Sequence, residues 1–300
     1  MKKVLKWIGI VVGSLLGLVL VAGLVMFLIG NSRLNKTYSF PLSNIVLPAD
    51  DASLELGKHR VDSLCAGCHG EDLSGIEKWF NASALGTIDS ANLTSGKGGV
   101  GETYTDEDYV NAIRHGIDSK GKPIFMPAVV STANLSDEEL GAIIAYIRSL
   151  PPVDHETEGA QFTPLAKVML VLGVLPAFPV EVVSHNTDVP HVEAGPTVEY
   201  GKYMVDTHDC RLCHGPELNG GPFPDPTIIK ISPNLTPGGE VAFWTEEQFV
   251  NTFRTGVTPG GHELDPALMP WKDYGKFYDY ELQAIYAYLQ TVEKLPQYTE

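Results

Sequence analysis

The sequence predicts an all-α fold in which two helical domains in tandem follow one N-terminal transmembrane helix. Three observations support this: an uncharged apolar run near the N-terminus, a residue pattern that occurs twice, and helical spacing of apolar residues in each copy. No long stretch shows the period-2 alternation of strands. We divide the chain into an anchor at 1–33, a first domain at 34–155, a linker at 156–195 and a second domain at 196–300.

Length and composition suit a folded protein of about two domains. The 300 residues are 44% hydrophobic and 19% charged, and the formal net charge is −16. An acidic surface repels nucleic acid and favours a basic docking partner. We therefore expect no nucleic-acid partner.

Residues 7–30 carry no charge and predict a membrane anchor. As a helix this run reaches ~36 Å, enough to cross a bilayer core of ~30 Å. Lys2, Lys3 and Lys6 precede it, which predicts a cytoplasmic N-terminus and the remaining chain on the periplasmic or outer face of the cell membrane. A cleaved signal peptide is the alternative. We favour an uncleaved, single-pass anchor because the residues from Asn31 onward lack a small-X-small cleavage pattern.

Two Cys-X-X-Cys-His motifs contain all four cysteines of the chain. They comprise Cys65, Cys68 and His69 in the first copy, and Cys210, Cys213 and His214 in the second. This spacing is typical of c-type haem attachment, in which two thiols bond the haem and the adjacent imidazole binds its iron. We therefore predict two covalently bound haems c. Two disulfides, or one zinc site with four thiolates, would leave the histidine after each pair unexplained.

The chain repeats itself with an offset near 142 residues. The matched blocks are 57–61 with 201–205, 92–94 with 234–236, 104–107 with 244–247, 112–116 with 252–256, 126–127 with 269–270, and 145–147 with 287–289. Each copy also holds one cysteine motif. Blocks that recur in one order indicate two homologous domains.

Each copy is predicted to be helical, and its last helix has the clearest pattern. Apolar residues follow i, i+3, i+4, i+7 spacing at Leu140, Ile143, Ile144 and Ile147, and again at Leu282, Ile285, Tyr286 and Leu289. The stretch before each first cysteine predicts another helix.

Polar residues mark where two of these helices begin. Ser136 and Glu139 form a candidate capping box before the last helix of the first copy. Thr105 and Thr245 are candidate N-caps of a middle helix, and acidic residues follow each of them.

The linker contains a second apolar stretch at 165–183, whose longest unbroken part, 168–180, is too short to span a membrane. Two interpretations are open. The stretch is either a helix buried between the two domains, or a surface that touches the bilayer or an apolar partner subunit.

Methionine is the predicted second ligand of each iron. Met126 lies 57 residues after His69, and Met269 lies 55 residues after His214. Both precede proline, at equivalent positions of the repeat. A neutral, soft thioether favours ferrous iron. We therefore predict that both histidines and both methionines are metal ligands. We also expect each proximal histidine to donate its other ring N–H to a backbone carbonyl.

Further polar residues have possible haem contacts. Arg114 and Arg254 recur at matching sites, where a guanidinium suits a buried haem propionate. His115 and His262 are the alternative to methionine ligation, but they do not occupy equivalent positions.

The motifs resemble tandem class I cytochrome c domains. The shared elements are Cys-X-X-Cys-His-Gly, Asn-Leu-Thr, Arg-X-Gly, Met-Pro and a closing helix with Ala-Tyr, over 51–152 and 197–296. The chain is similar to membrane-anchored di-haem cytochromes c and to cytochrome subunits of membrane-bound alcohol and gluconate dehydrogenases. Those subunits generally carry three haems and a C-terminal anchor, whereas this chain has two motifs and an N-terminal apolar run.

The resemblance implies an electron carrier rather than an enzyme, and so do two irons that each have a predicted histidine and methionine ligand. It would pass single electrons between a respiratory or dehydrogenase donor and an acceptor, with a redox protein or a dehydrogenase or oxidase complex as partner. No catalytic residue and no small-molecule substrate are expected. The alternative is a di-haem enzyme such as a cytochrome c peroxidase or thiosulfate dehydrogenase. A peroxidase needs an open iron position, against which the two methionines argue.

Overall fold

The structure, a computed structural model, describes residues 2–223 and 228–299. Its helices are α1 (Lys2–Asn35), α2 (Asp51–Leu64), α3 (Ala66–His69), α4 (Asp106–Val110), α5 (Val129–Thr132), α6 (Asp137–Ser149), α7 (Pro164–Val171), α8 (Val198–Thr207), α9 (Cys210–His214), α10 (Glu246–Thr255), α11 (Trp271–Tyr274) and α12 (Asp279–Leu289). Its strands are β1 (Phe80–Ala82), β2 (Gly86–Ile88), β3 (Ala160–Phe162), β4 (Gly221–Pro222) and β5 (Ile231–Ser232). The mainly helical architecture confirms the predicted fold class. The strands have two or three residues each, too few for alternation to reveal them.

Helix α1 is the one helix, within the described ranges, that is long and apolar enough to cross a membrane. Its 34 residues extend the predicted apolar run at both ends. At ~1.5 Å per residue it is ~51 Å long, so its ends project beyond a hydrocarbon core of ~30 Å. Its large apolar side chains are exposed along most of its length, as contact with lipid would require.

In each repeat the first long helix crosses the last one at a glycine. A Cβ on Gly57 of α2 would lie 2.1 Å from the carbonyl oxygen of Ala142 in α6. A Cβ on Gly201 of α8 would lie 1.9 Å from the carbonyl oxygen of Ala284 in α12. Only glycine allows this approach. The predicted apolar stripes of α6 and α12 face the cores that these crossings create.

Helix caps were largely predictable. Thr105 and Thr245 each accept a hydrogen bond from the third backbone N–H of α4 and α10, in complete capping boxes. Ser136 caps α6 through the N–H of Glu139. The Glu139 side chain does not complete that box as expected, because it accepts hydrogen bonds from Arg60 instead.

The segment between the repeats folds onto the first repeat. Strand β3 pairs with β2 in an antiparallel sheet of order β1-β2-β3. Phe178 and Val180 pack in a buried cluster with Ile117. Helix α7 packs against α1 and β3, so it is not the helix buried between the two domains that one interpretation of the sequence expected.

A buried ionic network joins the two repeats, with Arg60 of α2 at its centre. The Arg60 side chain is 0% exposed. Its Nη2 donates to Glu139 Oε1 at 2.8 Å and to the Tyr200 hydroxyl at 2.6 Å. Its Nη1 donates to Glu281 Oε1 at 2.7 Å. Glu139 and Glu281 occupy equivalent positions of the two repeats. The guanidinium of Arg60 therefore binds one carboxylate from each repeat.

Other contacts of this network occur in equivalent pairs. The Tyr203 hydroxyl donates to Glu139 Oε2 at 2.6 Å, and His59 Nε2 lies 2.7 Å from Glu281 Oε2. His59 and Tyr203 match in the sequence repeat. The repeats therefore face each other with approximate two-fold symmetry, and Met204 of the second repeat matches Arg60.

A second pair of contacts follows the same symmetry at the edge of the interface. Lys276 Nζ donates to the carbonyl oxygen of Asp62 at 3.0 Å. Asn134 Nδ2 donates to the carbonyl oxygen of Asp206 at 3.3 Å. Asn134 and Lys276 occupy equivalent positions of the two repeats, and so do Asp62 and Asp206.

The network keeps the Glu281 carboxylate charged. Burial alone would raise the pKa of Glu281, but the hydrogen bond from His59 and the charge of Arg60 outweigh burial and lower that pKa to about 2. At neutral pH the interface therefore holds the buried ion pair of Arg60 and Glu281, and it depends on the cation of Arg60.

A hydrogen-bonded pair of histidines, His115 and His185, lies where the first repeat meets the linker. Phe40 stacks on His115 and His185 at ring-centroid distances of 4.3 and 4.1 Å. His185 Nε2 lies 3.1 Å from the carbonyl oxygen of Val180, so it carries a hydrogen. In the neutral ring His185 Nδ1 then accepts, and His115 Nδ1, 3.2 Å away, donates to it.

We expect Arg60→Met to lower the free energy of unfolding by about 3–5 kcal/mol, because it leaves Glu139 and Glu281 buried without their cation. The matched control is Lys58→Met in the same helix. Because Lys58 pairs with Asp62 at the surface, its substitution should change the free energy of unfolding by no more than about 0.5 kcal/mol. Denaturant unfolding of the detergent-solubilised full chain, followed by circular dichroism, measures both. Equal effects of the two substitutions would contradict this role of Arg60.

Acid should destabilise the histidine pair. Burial, and after it the charges of His185 and Arg114, lower the pKa of His115 to about 4. The folded protein therefore binds fewer protons than the unfolded chain between pH ~6.5 and ~4, and stability falls as pH drops through that window, by at most about 1.4 kcal/mol per unit. We expect a shallower dependence of melting temperature on pH between 7 and 5 in His115→Gln. His191→Gln, at an exposed site, should keep the wild-type slope.

Candidate functional site

Each Cys-X-X-Cys-His motif forms one short helical turn, α3 or α9. Gly70 and Gly215 follow the histidines with φ angles of 84° and 78°. These positive angles favour glycine and turn the chain away directly after each histidine. Both cysteines and the histidine of each motif thus lie on one rigid turn.

The proximal histidines are oriented by backbone carbonyls. His69 Nδ1 lies 2.8 Å from the oxygen of Ala91, and His214 Nδ1 lies 2.8 Å from the oxygen of Pro233. Since a carbonyl only accepts, Nδ1 carries the hydrogen and Nε2 keeps its lone pair. Burial lowers the pKa of both rings, which keeps them neutral. The expected hydrogen bond is confirmed, and the tautomer is the one that metal ligation through Nε2 requires.

All four cysteine thiols are free. Burial raises the pKa of Cys65 and Cys210 to about 12, and that of Cys68 and Cys213 to about 11. The structure therefore contains no disulfide in either motif. Among the residues it describes, no group of three or more metal-binding side chains converges, as a zinc site with four thiolates would require. The donor set fits two separate haems, each bonded through two thiols and one imidazole.

A buried asparagine clamps the loop that carries each carbonyl acceptor. Asn92 Oδ1 accepts from the backbone N–H of Thr94 at 2.9 Å, and its Nδ2 donates to the oxygen of Val153 at 2.7 Å. Asn234 makes the equivalent contacts, at 2.8 Å each. This clamp ties the loop, and therefore the histidine, to the chain that follows the last helix.

Met126 and Met269 have similar burial and similar local positions in the chain. Each is half-buried and lies in an irregular segment two or three residues before a short helix, α5 or α11. The structure thus gives both the local position that the repeat predicted.

The two motifs lie on opposite sides of one interface, each beside the short helix that follows the other repeat's methionine. Ser131 of α5 accepts a hydrogen bond from the backbone N–H of Asp209, which directly precedes α9, at 3.2 Å. On the other side, a Cβ on Gly67 of α3 would lie 3.1 Å from Asp273 Oδ2 of α11. Burial raises the pKa of the Cys68 thiol, and the charges of Asp209 and Asp273 raise it further across the interface. The two candidate sites are therefore neighbours.

Asp209 makes the second site differ from the first. The spacing from the crossing glycine to the first cysteine is one residue longer in the second repeat. Asp209 adopts a left-handed conformation with φ of 58°, which interrupts the path from α8 into α9. In the first repeat α2 continues into the motif through Cys65, which keeps a right-handed helical conformation.

The recurring arginines bind protein groups. Arg114 donates to Asp137 Oδ1 and to the oxygen of Leu135, each at 2.6 Å. Arg254 donates to Asp279 Oδ1 at 2.7 Å. Both thus hold the first residue of the last helix. Arg114 Nε has no partner among the described residues, so contact with a haem propionate stays a prediction.

The alternative histidine ligands have different environments. His115 is buried, and its Nδ1 is hydrogen-bonded to His185. His262 is exposed in a turn after α10.

Residues 52–147 match the protein family described as Cytochrome C oxidase, cbb3-type, subunit III. This range is a cytochrome c domain, which confirms the resemblance for the first repeat. The range contains the first motif, Met126 and the helices from α2 to most of α6.

Three curated relatives are cytochrome subunits. The fructose dehydrogenase cytochrome subunit of Gluconobacter japonicus is 28% identical over 76% of this chain and 50% of its own length. The gluconate 2-dehydrogenase cytochrome c subunit of Pantoea cypripedii is 28% identical over 56% and 39%. The cytochrome c subunit of alcohol dehydrogenase (quinone) of Gluconobacter oxydans is 27% identical over 69% and 48%. The chain thus spans about half the length of the relatives it matches, or less.

We expect Asn92→Ala to destabilise the fold by about 2–4 kcal/mol, because buried backbone groups of Thr94 and Val153 lose their partners. The control is Asn81→Ala at an exposed position of β1, expected within about 0.5 kcal/mol. Thermal unfolding of the two variants checks this. If Asn92→Ala were as mild as Asn81→Ala, the clamp would not hold the loop.

Proposed function

We propose that this chain, whose residues 52–147 are a cytochrome c domain, is a membrane-tethered electron carrier with two covalently bound haems c. The observation that carries the proposal is the pair of Cys-X-X-Cys-His turns that lie beside one interface, each with its histidine bound to a backbone carbonyl. A haem supplies an iron that gains or loses one electron without bond changes in the protein. Two such groups in neighbouring repeats support transfer of electrons through the chain.

Each haem would be held by its own repeat. Cys65 and Cys68 would bond the first haem, and His69 would bind its iron through the Nε2 lone pair. Cys210, Cys213 and His214 would do the same in the second repeat. The carbonyl partners support this because a hydrogen-bonded imidazole is a fixed and more basic ligand.

Met126 and Met269 would supply the second ligands. Their equivalent positions and half-buried side chains support this role. A site with two protein ligands has no position for substrate, so each iron would exchange electrons only. Arg114 and Arg254 would contact propionates, for which Arg114 retains one free N–H.

Helix α1 would tether the protein to the cell membrane. The lysines before the apolar run support a cytoplasmic N-terminus, with both haem domains on the periplasmic or outer face. The three relatives are cytochrome subunits of dehydrogenases. We therefore propose a dehydrogenase or oxidase complex, or another redox protein, as partner. The net charge of −16 favours a basic docking surface on it.

Met126→Ala and Met269→Ala test the proposal. Each should convert one of two haems from low spin to high spin and remove about half of the methionine–iron charge-transfer band, because one thioether ligand is lost. Met169→Ala in α7 is the control and should leave the spectrum unchanged. A pyridine haemochrome assay should give two haems per chain in all three variants.

Two outcomes would contradict the proposal. Native protein with a high-spin haem and steady peroxide turnover would favour a di-haem peroxidase. One haem per chain, with labile iron, would contradict attachment at both motifs.

A further inference from the structure

Helix α7 and the turn after it leave apolar side chains uncovered. Leu165, Leu172 and Val174 are 51%, 57% and 51% exposed. Only Ala166 and Leu170 of α7 are buried, on the side that faces the protein. Large apolar side chains grouped on one surface indicate a contact that the isolated chain does not make.

This surface lies beside the end of the apolar run of α1. A Cβ on Gly30 would lie 2.3 Å from the carbonyl oxygen of Lys167, so the two helices are in backbone contact there. Lys167 Nζ donates to Asn31 Oδ1 at 2.8 Å and lies 5.3 Å from the ring centroid of Phe27. Arg33 donates to the oxygen of Leu170 at 3.0 Å. These contacts place α7 at the level where α1 would leave the hydrocarbon.

The charge distribution fits a lipid surface. The chain has 37 acidic residues, but residues 159–180 contain none, and Lys167 is their one charged residue. An acidic segment would be repelled by anionic headgroups, whereas an apolar one with a single lysine is not. The Lys167 amine lies over the Phe27 ring and donates to a polar group, an arrangement that suits a lysine at a membrane interface.

We propose that α7 and its following turn lie in the outer interface of the bilayer that α1 crosses, with Leu165, Leu172 and Val174 among the lipids. This inference rests on the tether in the proposed function. Lipid is the occupant because the uncovered surface continues the lipid-facing surface of α1 at its end. The first repeat thereby gains a second membrane contact, which fixes its orientation.

The contact reaches the candidate haem ligand through aromatic rings. Phe162 of β3 packs edge-on against Phe178 and Phe125, at centroid distances of 6.4 and 5.8 Å. Phe125 directly precedes Met126. The aromatic cluster on which α7 packs therefore extends to the residue before Met126.

Nitroxide depth measurements on the haem-loaded full chain test this, in nanodiscs of phosphatidylcholine and phosphatidylglycerol. Leu172→Cys and Leu165→Cys carry the label in separate variants. Leu20→Cys reports the depth of α1, and Phe243→Cys, at an 87% exposed site in the second repeat, reports water. The native cysteines are bonded to haem in the proposed function, so the wild-type chain should take no label.

The ratio of oxygen to nickel-chelate collisions rises as a label goes deeper into the bilayer. We expect this ratio for the labels at positions 172 and 165 to exceed that for the label at 243 several-fold and to stay below that for the label at 20. A ratio equal to that at 243, with 20 deep, overturns the inference and leaves the tether intact. A ratio at 20 equal to that at 243 overturns both. Labels shielded from both quenchers, with dipolar broadening between chains, would mean a second copy occupies the surface and would also overturn it.

Discussion

The structure depends on one buried cation. Arg60 lies between Glu139 and Glu281, which occupy equivalent positions of the two repeats, and all three side chains are buried. A single guanidinium suits this place because its fork can bind one carboxylate on each side. Without it, two anions would be buried a few ångströms apart. The relative placement of the repeats, and hence of both motifs, follows from this arrangement.

Symmetry and its breaking both matter at this interface. His59 and Tyr203 bind equivalent carboxylates, and the outer contacts of Lys276 and Asn134 match as well. A second arginine at position 204 would place two cations near the axis, and the chain has methionine there. The two motifs are thus alike in their local turns but differ in their charged surroundings, which can set two different potentials.

The sequence predicted the features that depend on near neighbours. The caps at Thr105 and Thr245, the stripes of the last helices and the motif turns involve residues within a few positions of each other. Glu139 showed the limit, because a partner 79 residues away in the chain took the side chain from its predicted cap. The place of α7 could not be read locally, since apolar residues suit lipid and a protein core equally. Only its contact with α1 distinguishes them.

The paired contacts also bear on how the chain arose. The contact of Glu139 with Tyr203 and that of Glu281 with His59 would be related by a two-fold axis if both halves were separate copies of one short protein. Such an isologous interface needs no covalent connection, and it is the kind that a homodimer of a single repeat would form. The connecting segment would then have been free to diverge, and the one-residue difference before the two motifs, at Asp209, is a place where the halves are no longer alike.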